Sequence, residues 1–139
     1  MARVVDRAAE AIRSGRSALV FSAEGPDDPQ VLGFDDLAAN AGLDRPTAAR
    51  RVGVCLATVM DRLLDCTAVR RVVVAGGDSS GEVASALGID ALTVAAGLTP
   101  GAPLCRAWSA HPGRDGLEIV LKGGQMGGPD FFELAQRGN

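Results

Sequence analysis

The chain has 139 residues and a formal net charge of −3, with 47% apolar, 22% charged and 4% aromatic residues. That balance fits one globular domain, residues 1–139, with a core of Val, Leu, Ala and Ile. Thirteen dispersed arginines on an acidic chain exclude a basic nucleic-acid face, and no apolar run approaches the roughly 20 residues that span a bilayer.

The opening "MARVVDRAAEAIRSGR" places charges at helical spacing and has no apolar h-region, so it is not a secretory signal and the cytoplasm is the expected location. Val4, Val5, Ala8, Ala9 and Ile12 form a helical stripe that stops at Gly15. "SALVFSA" (17–23) is short and apolar and predicts a buried strand, followed by the loop "EGPDDPQ" with Asp27 and Asp28 on the presumed ligand side. A short helix is expected around Phe34 to Ala41. From Pro46 to Leu64, apolar residues from Val52 onward recur at i, i+3, i+4, i+7, which predicts a long helix capped by Asp44. Cys55 and Cys66 share it, about 16 Å apart at ~1.5 Å per residue, too far for a disulfide. With Cys105 they are expected as buried free thiols. A single histidine and no CxxC argue against structural zinc.

"RRVVVAGG" holds an unbroken β-branched run, as in a parallel strand covered on both faces. "SSGEVASALGI" predicts a helix ending near Gly88. "ALTVA" (91–95), "APLCRAW" and "LEIVLK" predict strands, the last ones joined antiparallel by short links. "GPDFFELAQR" predicts a final helix, capped by Asp130 and anchored by Phe131 and Phe132. Trp108 and His111 read as packing and turn residues. The alternation predicts an α/β fold, a three-layer α/β/α sandwich with a mostly parallel central sheet, and parallel strands near 17–23, 71–75 and 91–95.

Two stretches carry chemistry. In "VVVAGGDSSGEV", a strand enters a glycine turn and a helix begins. Gly76, Gly77, Asp78, Ser79, Ser80 and Gly81 would combine close backbone approach with the unpaired N–H donors of a helix start, which suits phosphate. Ser79 and Glu82 also match an S-x-x-E capping box, but capping does not require three glycines. Asp78 could hold Mg2+ or simply favour the helix start. In "VLKGGQMGGPDFF", Lys122 is the sole lysine among fourteen basic side chains. An ammonium is compact and can enter a narrow glycine-lined pocket that a planar guanidinium cannot. Lys122, Gly123, Gly124, Gln125, Met126 and Gly127 therefore form a second candidate phosphate loop, and two such turns on one ligand suggest a nucleotide.

"GGDSSG" (76–81), "PGAP" (100–103), "KGGQMG" (122–127) and "GPDFF" (128–132), in this order, resemble the nucleotide-binding domain of the four-carbon acid sugar kinase family. "VFSAEGPDDP" (20–29) is similar to that family's preceding strand and loop. The resemblance implies ATP and Mg2+ as cofactors and phosphorylation of threonate, erythronate or 3-oxo-tetronate sugar acids. It places the ATP contacts on the two glycine loops and names no catalytic residue here. Ser79 stands where the family often has Thr, and Met126 where Phe is common. Members of that family are longer, so the chain is expected to be the C-terminal part of such a kinase. The sugar acid would then be reached through an N-terminal domain outside this sequence, and the chain alone would be inactive. A homo-oligomer is open. The alternative is a non-catalytic module that senses a nucleotide or phosphometabolite through the same loops.

Overall fold

The computed structural model describes residues 1–138, apart from the side chain of Asp78. Four helices come first: α1 (Ala2–Arg13), α2 (Pro29–Leu32), α3 (Phe34–Asn40) and α4 (Arg45–Cys66). Then follow β1 (Arg71–Ala75), α5 (Gly77–Ala86), β2 (Ala91–Thr99), β3 (Ala102–Trp108), β4 (Glu118–Lys122) and α6 (Phe131–Arg137).

Local chemistry sets most of these bounds. Asp44 caps α4 by accepting from the Thr47 N–H at 2.8 Å, with proline in the first turn. Asp28 does the same for α2, accepting from Gln30 N–H. Asp130 occupies the N-cap position of α6 but makes no side-chain cap bond, contrary to expectation.

The sheet has the order β1-β4-β3-β2. β1 and β4 are parallel, whereas β4–β3 and β3–β2 are antiparallel. The mostly parallel sheet expected from sequence is thus corrected to a mixed one. The reason at β2 is its link: Thr99 pairs with Ala102 across Pro100 and Gly101, and two residues can only reverse the chain. The strand expected at 17–23 does not form either. Val20 packs beside α1 and α4, but Leu19 is 67% exposed and Phe21 55% exposed, and the stretch pairs with no strand.

One face of the sheet carries Val72, Val74, Cys105, Ala107 and Ile119, and it packs on Ala57 and Leu64 of α4 and on Val83 and Leu87 of α5. The other face carries Leu104 and Val120 and packs on Phe131 and Ala135 of α6. α1 lies against α4 through Val5, Ala8, Ala9, Val59 and Leu63. Phe131 is buried as expected, but Phe132 is about half exposed. Cys105 is buried, whereas Cys55 and Cys66 are exposed, so two of the three predicted buried thiols are corrected. Both lie on α4, where the apolar face is carried by Ala57, Val59, Leu63 and Leu64 instead.

Arg114 ties the β3–β4 connection to α4. It is 3% exposed and donates to Asp61 and Asp65 at 2.7 and 2.6 Å. Burial works against its charge, but the two carboxylates hold its pKa above the ordinary arginine value.

Candidate functional site

β1 and β4 run side by side in the same direction, with Ala75 opposite Lys122. Their carboxyl ends therefore lie at one edge of the sheet, and the two glycine loops leave from there. The loops are bonded to each other: the Gly76 N–H donates to the Lys122 carbonyl at 2.9 Å.

The first loop is tight. Gly76 has φ 130°, a conformation that side chains disfavour, and it is the N-cap of α5. Its carbonyl accepts from the Ser80 N–H at 2.9 Å and from the Ser80 hydroxyl at 2.7 Å. The capping box expected from Ser79 and Glu82 is not formed. Ser79 stands inside the first turn rather than at the cap, and Glu82 pairs with Arg50 at 2.9 Å instead. Among the described residues no side chain caps the start of α5, where the first N–H groups of a helix lack partners within the helix. The role considered for the Asp78 carboxylate lies outside the described residues.

The second loop folds on itself. The Met126 N–H donates to the Gly123 carbonyl at 3.1 Å. Lys122 is 6% exposed and donates from Nζ to the Gly124 carbonyl at 2.9 Å. Its ammonium also stands 5.3 Å from the centre of the Phe131 ring, in cation–π range. The sole lysine is thus buried at the base of the loop, with one of its three donors on Gly124. Gly127, at φ 86°, passes so close to Phe131 that a Cβ there would sit 2.6 Å from the ring. Gln125 and Gly124 are exposed, and Met126 is half-buried.

A third segment reaches the same edge. β3 starts opposite the end of β4, so the β2–β3 turn lies beside the second loop. A Cβ on Gly101 would stand 2.6 Å from Met126 Cε. Glycines 77, 81 and 124 differ in kind. None has a left-handed φ, and a Cβ on any of them would meet nothing within 4 Å. The same holds of Gly25 and Gly97, which lie outside the two loops.

Arg50, 32 residues from Glu82, is a neighbour of this edge that sequence reasoning missed, because nothing local links the two. The Lys122–Phe131 contact was missed too, although "KGGQMGGPDFF" holds both residues in one motif. Among the described residues, no three His, Cys, Asp or Glu side chains come together as a metal cage.

Residues 1–132 match the family described as nucleotide-binding C-terminal domain. The chain belongs to that family. Over 136 residues this nucleotide-binding domain is 65% identical to the 3-oxo-isoapionate kinase of Paraburkholderia graminis, covering 98% of the chain and 29% of that protein. It is 40% identical to the 3-oxo-tetronate kinase of Cupriavidus necator, covering 88% of the chain and 26% of that protein. The resemblance read from the four sequence motifs therefore holds. The chain spans less than a third of the length of these curated relatives. Its fold is similar to that of Haemophilus influenzae protein HI1011, with a TM-score of 0.64 over 96% of the chain and 30% of that structure, at 21% identity. Among the described residues no helix is long and apolar enough to cross a membrane.

Proposed function

We propose that the chain is the nucleotide-binding part of a cytoplasmic ATP-dependent kinase that phosphorylates a four-carbon acid sugar or a related 3-oxo sugar acid. The observation that carries this reading is the Gly76 N–H to Lys122 carbonyl bond, which joins two glycine loops at one sheet edge. Around that bond stand the start of α5 and one ammonium within the same short stretch of backbone. Phosphoryl transfer asks a protein mainly for positioning and charge stabilisation, and these groups supply both. The backbone N–H groups of Gly77 to Ser79 would donate to phosphate oxygens, and Lys122 would exchange its Gly124 partner for one. Mg2+ retains several waters and binds readily through substrate phosphates, which suits a site without a carboxylate cage.

The sugar acid would be held by another part of the full-length kinase. Transfer needs the acceptor hydroxyl in line with the γ-phosphate and a group to take its proton. Among the described residues neither loop offers a histidine, and His111 sits in a turn, accepting from the Gly113 N–H.

Two measurements test this. ATP with Mg2+ should raise the melting temperature of the chain by several degrees at about 100-fold excess over Kd. The isolated chain should release no ADP with a panel of four-carbon sugar acids. No thermal shift with any nucleotide would remove the reading, and turnover by the chain alone would show that the acceptor site lies within these residues.

A further inference from the structure

β2 is the outer strand of the sheet on the side away from β1, and among the described residues nothing covers its first half. Ala91 to Ala95 are all exposed, with Leu92 at 40% and Val94 at 66%. Leu92 stands opposite Ala107 and Val94 opposite Cys105. Both therefore belong to the face that packs on α4 and α5, yet they lie outside the part those helices cover. On the other face Trp108, 54% exposed, donates from Nε1 to the Thr93 hydroxyl at 2.8 Å. An open strand edge is a template for another strand, and proteins commonly blunt one with lysine, proline or an inward-pointing charge. The run "ALTVAAGLT" has none of these. Only a register shift after Val94 interrupts it, which leaves Ala91–Val94 as the regular stretch.

We propose that the β2 edge is a self-association surface, on which a second copy of the chain lays its own β2 antiparallel about a two-fold axis at Thr93. The two four-stranded sheets then become one continuous sheet. The occupant is read from symmetry. A two-fold axis normal to the sheet makes an isologous contact, in which one edge meets itself. Directly opposed residues share a face of the sheet, so the axis must pass through a residue rather than between two. Placed at Thr93, it sets Leu92 opposite Val94 of the second copy, and Val94 opposite that copy's Leu92. The four exposed aliphatic side chains close into one cluster and leave water. On the other face the two Thr93 side chains meet, flanked by the Trp108 rings, and Thr–Thr pairs are favourable cross-strand contacts. The strand itself carries no charge. Arg106, beside Thr93 on β3, is kept three strand spacings from its counterpart, about 14 Å, which exceeds the Debye length at physiological salt.

The contact is short, and interfaces under ~1,200 Å2 are weak or transient, so sedimentation of the 139-residue chain from about 1 µM to about 1 mM is the test. The average mass should rise with concentration from 14.2 kDa toward twice that value and stop there. Val94→Lys places a charge on the edge at an exposed position and should keep the chain single with its melting temperature unchanged. Thr93→Cys, in a background of Cys55→Ser and Cys66→Ser, should give a disulfide-linked pair on oxidation. Opposed Cα atoms of an antiparallel pair lie within disulfide reach, so this variant reports the register even where Val94→Lys fails to fold. A wild-type chain that stays single at every concentration overturns the proposal and leaves the edge to another part of the kinase. A folded Val94→Lys chain that associates as wild type does, growth beyond two copies, or no cross-link from Thr93→Cys where wild type pairs would each overturn it as well.

Discussion

Replacing Lys122 with methionine separates the two roles that a buried lysine can have. The side chain is 6% exposed, with one hydrogen bond to the Gly124 carbonyl and the Phe131 ring beneath it. Methionine keeps the unbranched apolar stem and removes the charge. The fold loses a charge-assisted bond worth about 1.5–3 kcal/mol and a ring contact worth about 0.5–2 kcal/mol. Against this, it no longer confines an ammonium away from water, a penalty of several kcal/mol. These terms nearly cancel, so the melting temperature should move by about 3 °C or less, the equivalent of ~1 kcal/mol for a domain of this size. Binding has no such offset. Loss of a charge-assisted phosphate contact worth about 1.5–3 kcal/mol should weaken ATP by about 10- to 150-fold. Lys122→Arg should restore only part of this, because a wider planar group must fit between the Gly124 carbonyl and the Phe131 ring. Calorimetry and thermal melting on the same samples decide the matter. A large drop in melting temperature with unchanged ATP affinity would make Lys122 a structural clamp and refute the phosphate role.

Two further outcomes bear on the loops and the helix that frames them. Gly127→Ala forces a side chain into φ 86° and toward the Phe131 ring. The left-handed backbone costs about 1–2 kcal/mol and the overpacking about 1–3 kcal/mol, so urea unfolding should show a loss of about 2–5 kcal/mol. The Asp44 carboxyl is held below its ordinary pKa of 3.8 by hydrogen bonds from the Thr47 side chain and backbone. A depressed acid stabilises the fold above its unfolded pKa and loses that contribution as pH falls through the folded value. The melting-temperature gap between wild type and Asp44→Ala should accordingly be full at neutral pH and shrink below about pH 4. A gap that is constant down to pH 2 would mean the cap acts without its charge.

The sequence disclosed what depends on near neighbours. The α4 helix, the Asp44 cap and the turn at Gly76 are each written within a few residues, and each was found where expected. The bounds of β3 were read to the residue because Pro100-Gly101 and the polar turn after Trp108 punctuate it. What was lost depends on partners far along the chain. Residues 17–23 are apolar enough for a buried strand, but only Val20 and Ala23 are even partly covered. A strand also needs a neighbour to bond, and a local pattern does not name one. For the same reason Glu82 read as half of a capping box. Its contact with Arg50 exists only once α4 and α5 are packed. Phe132 and the thiols of α4 were placed in the core by type alone, whereas their faces are set by what Phe131 and Ala57 already fill.

The error in sheet direction left the two glycine loops side by side, and the reason is geometric. A site built from two strand-ending loops requires that the two strands be neighbours and point the same way. It requires nothing of the others. In this sheet the parallel pair is β1–β4, and these strands carry the two glycine loops. Had β4 run antiparallel to β1, Lys122 would lie opposite the start of β1, the length of a strand away from Gly76. The antiparallel strands are useful in their own way. Because β3 reverses against β4, the β2–β3 turn returns to the edge that holds both loops, where Gly101 packs on Met126. A mixed sheet can thus gather three turns at one edge from strands of both directions, with helix starts supplied by the parallel pair and a hairpin supplied by the antiparallel one.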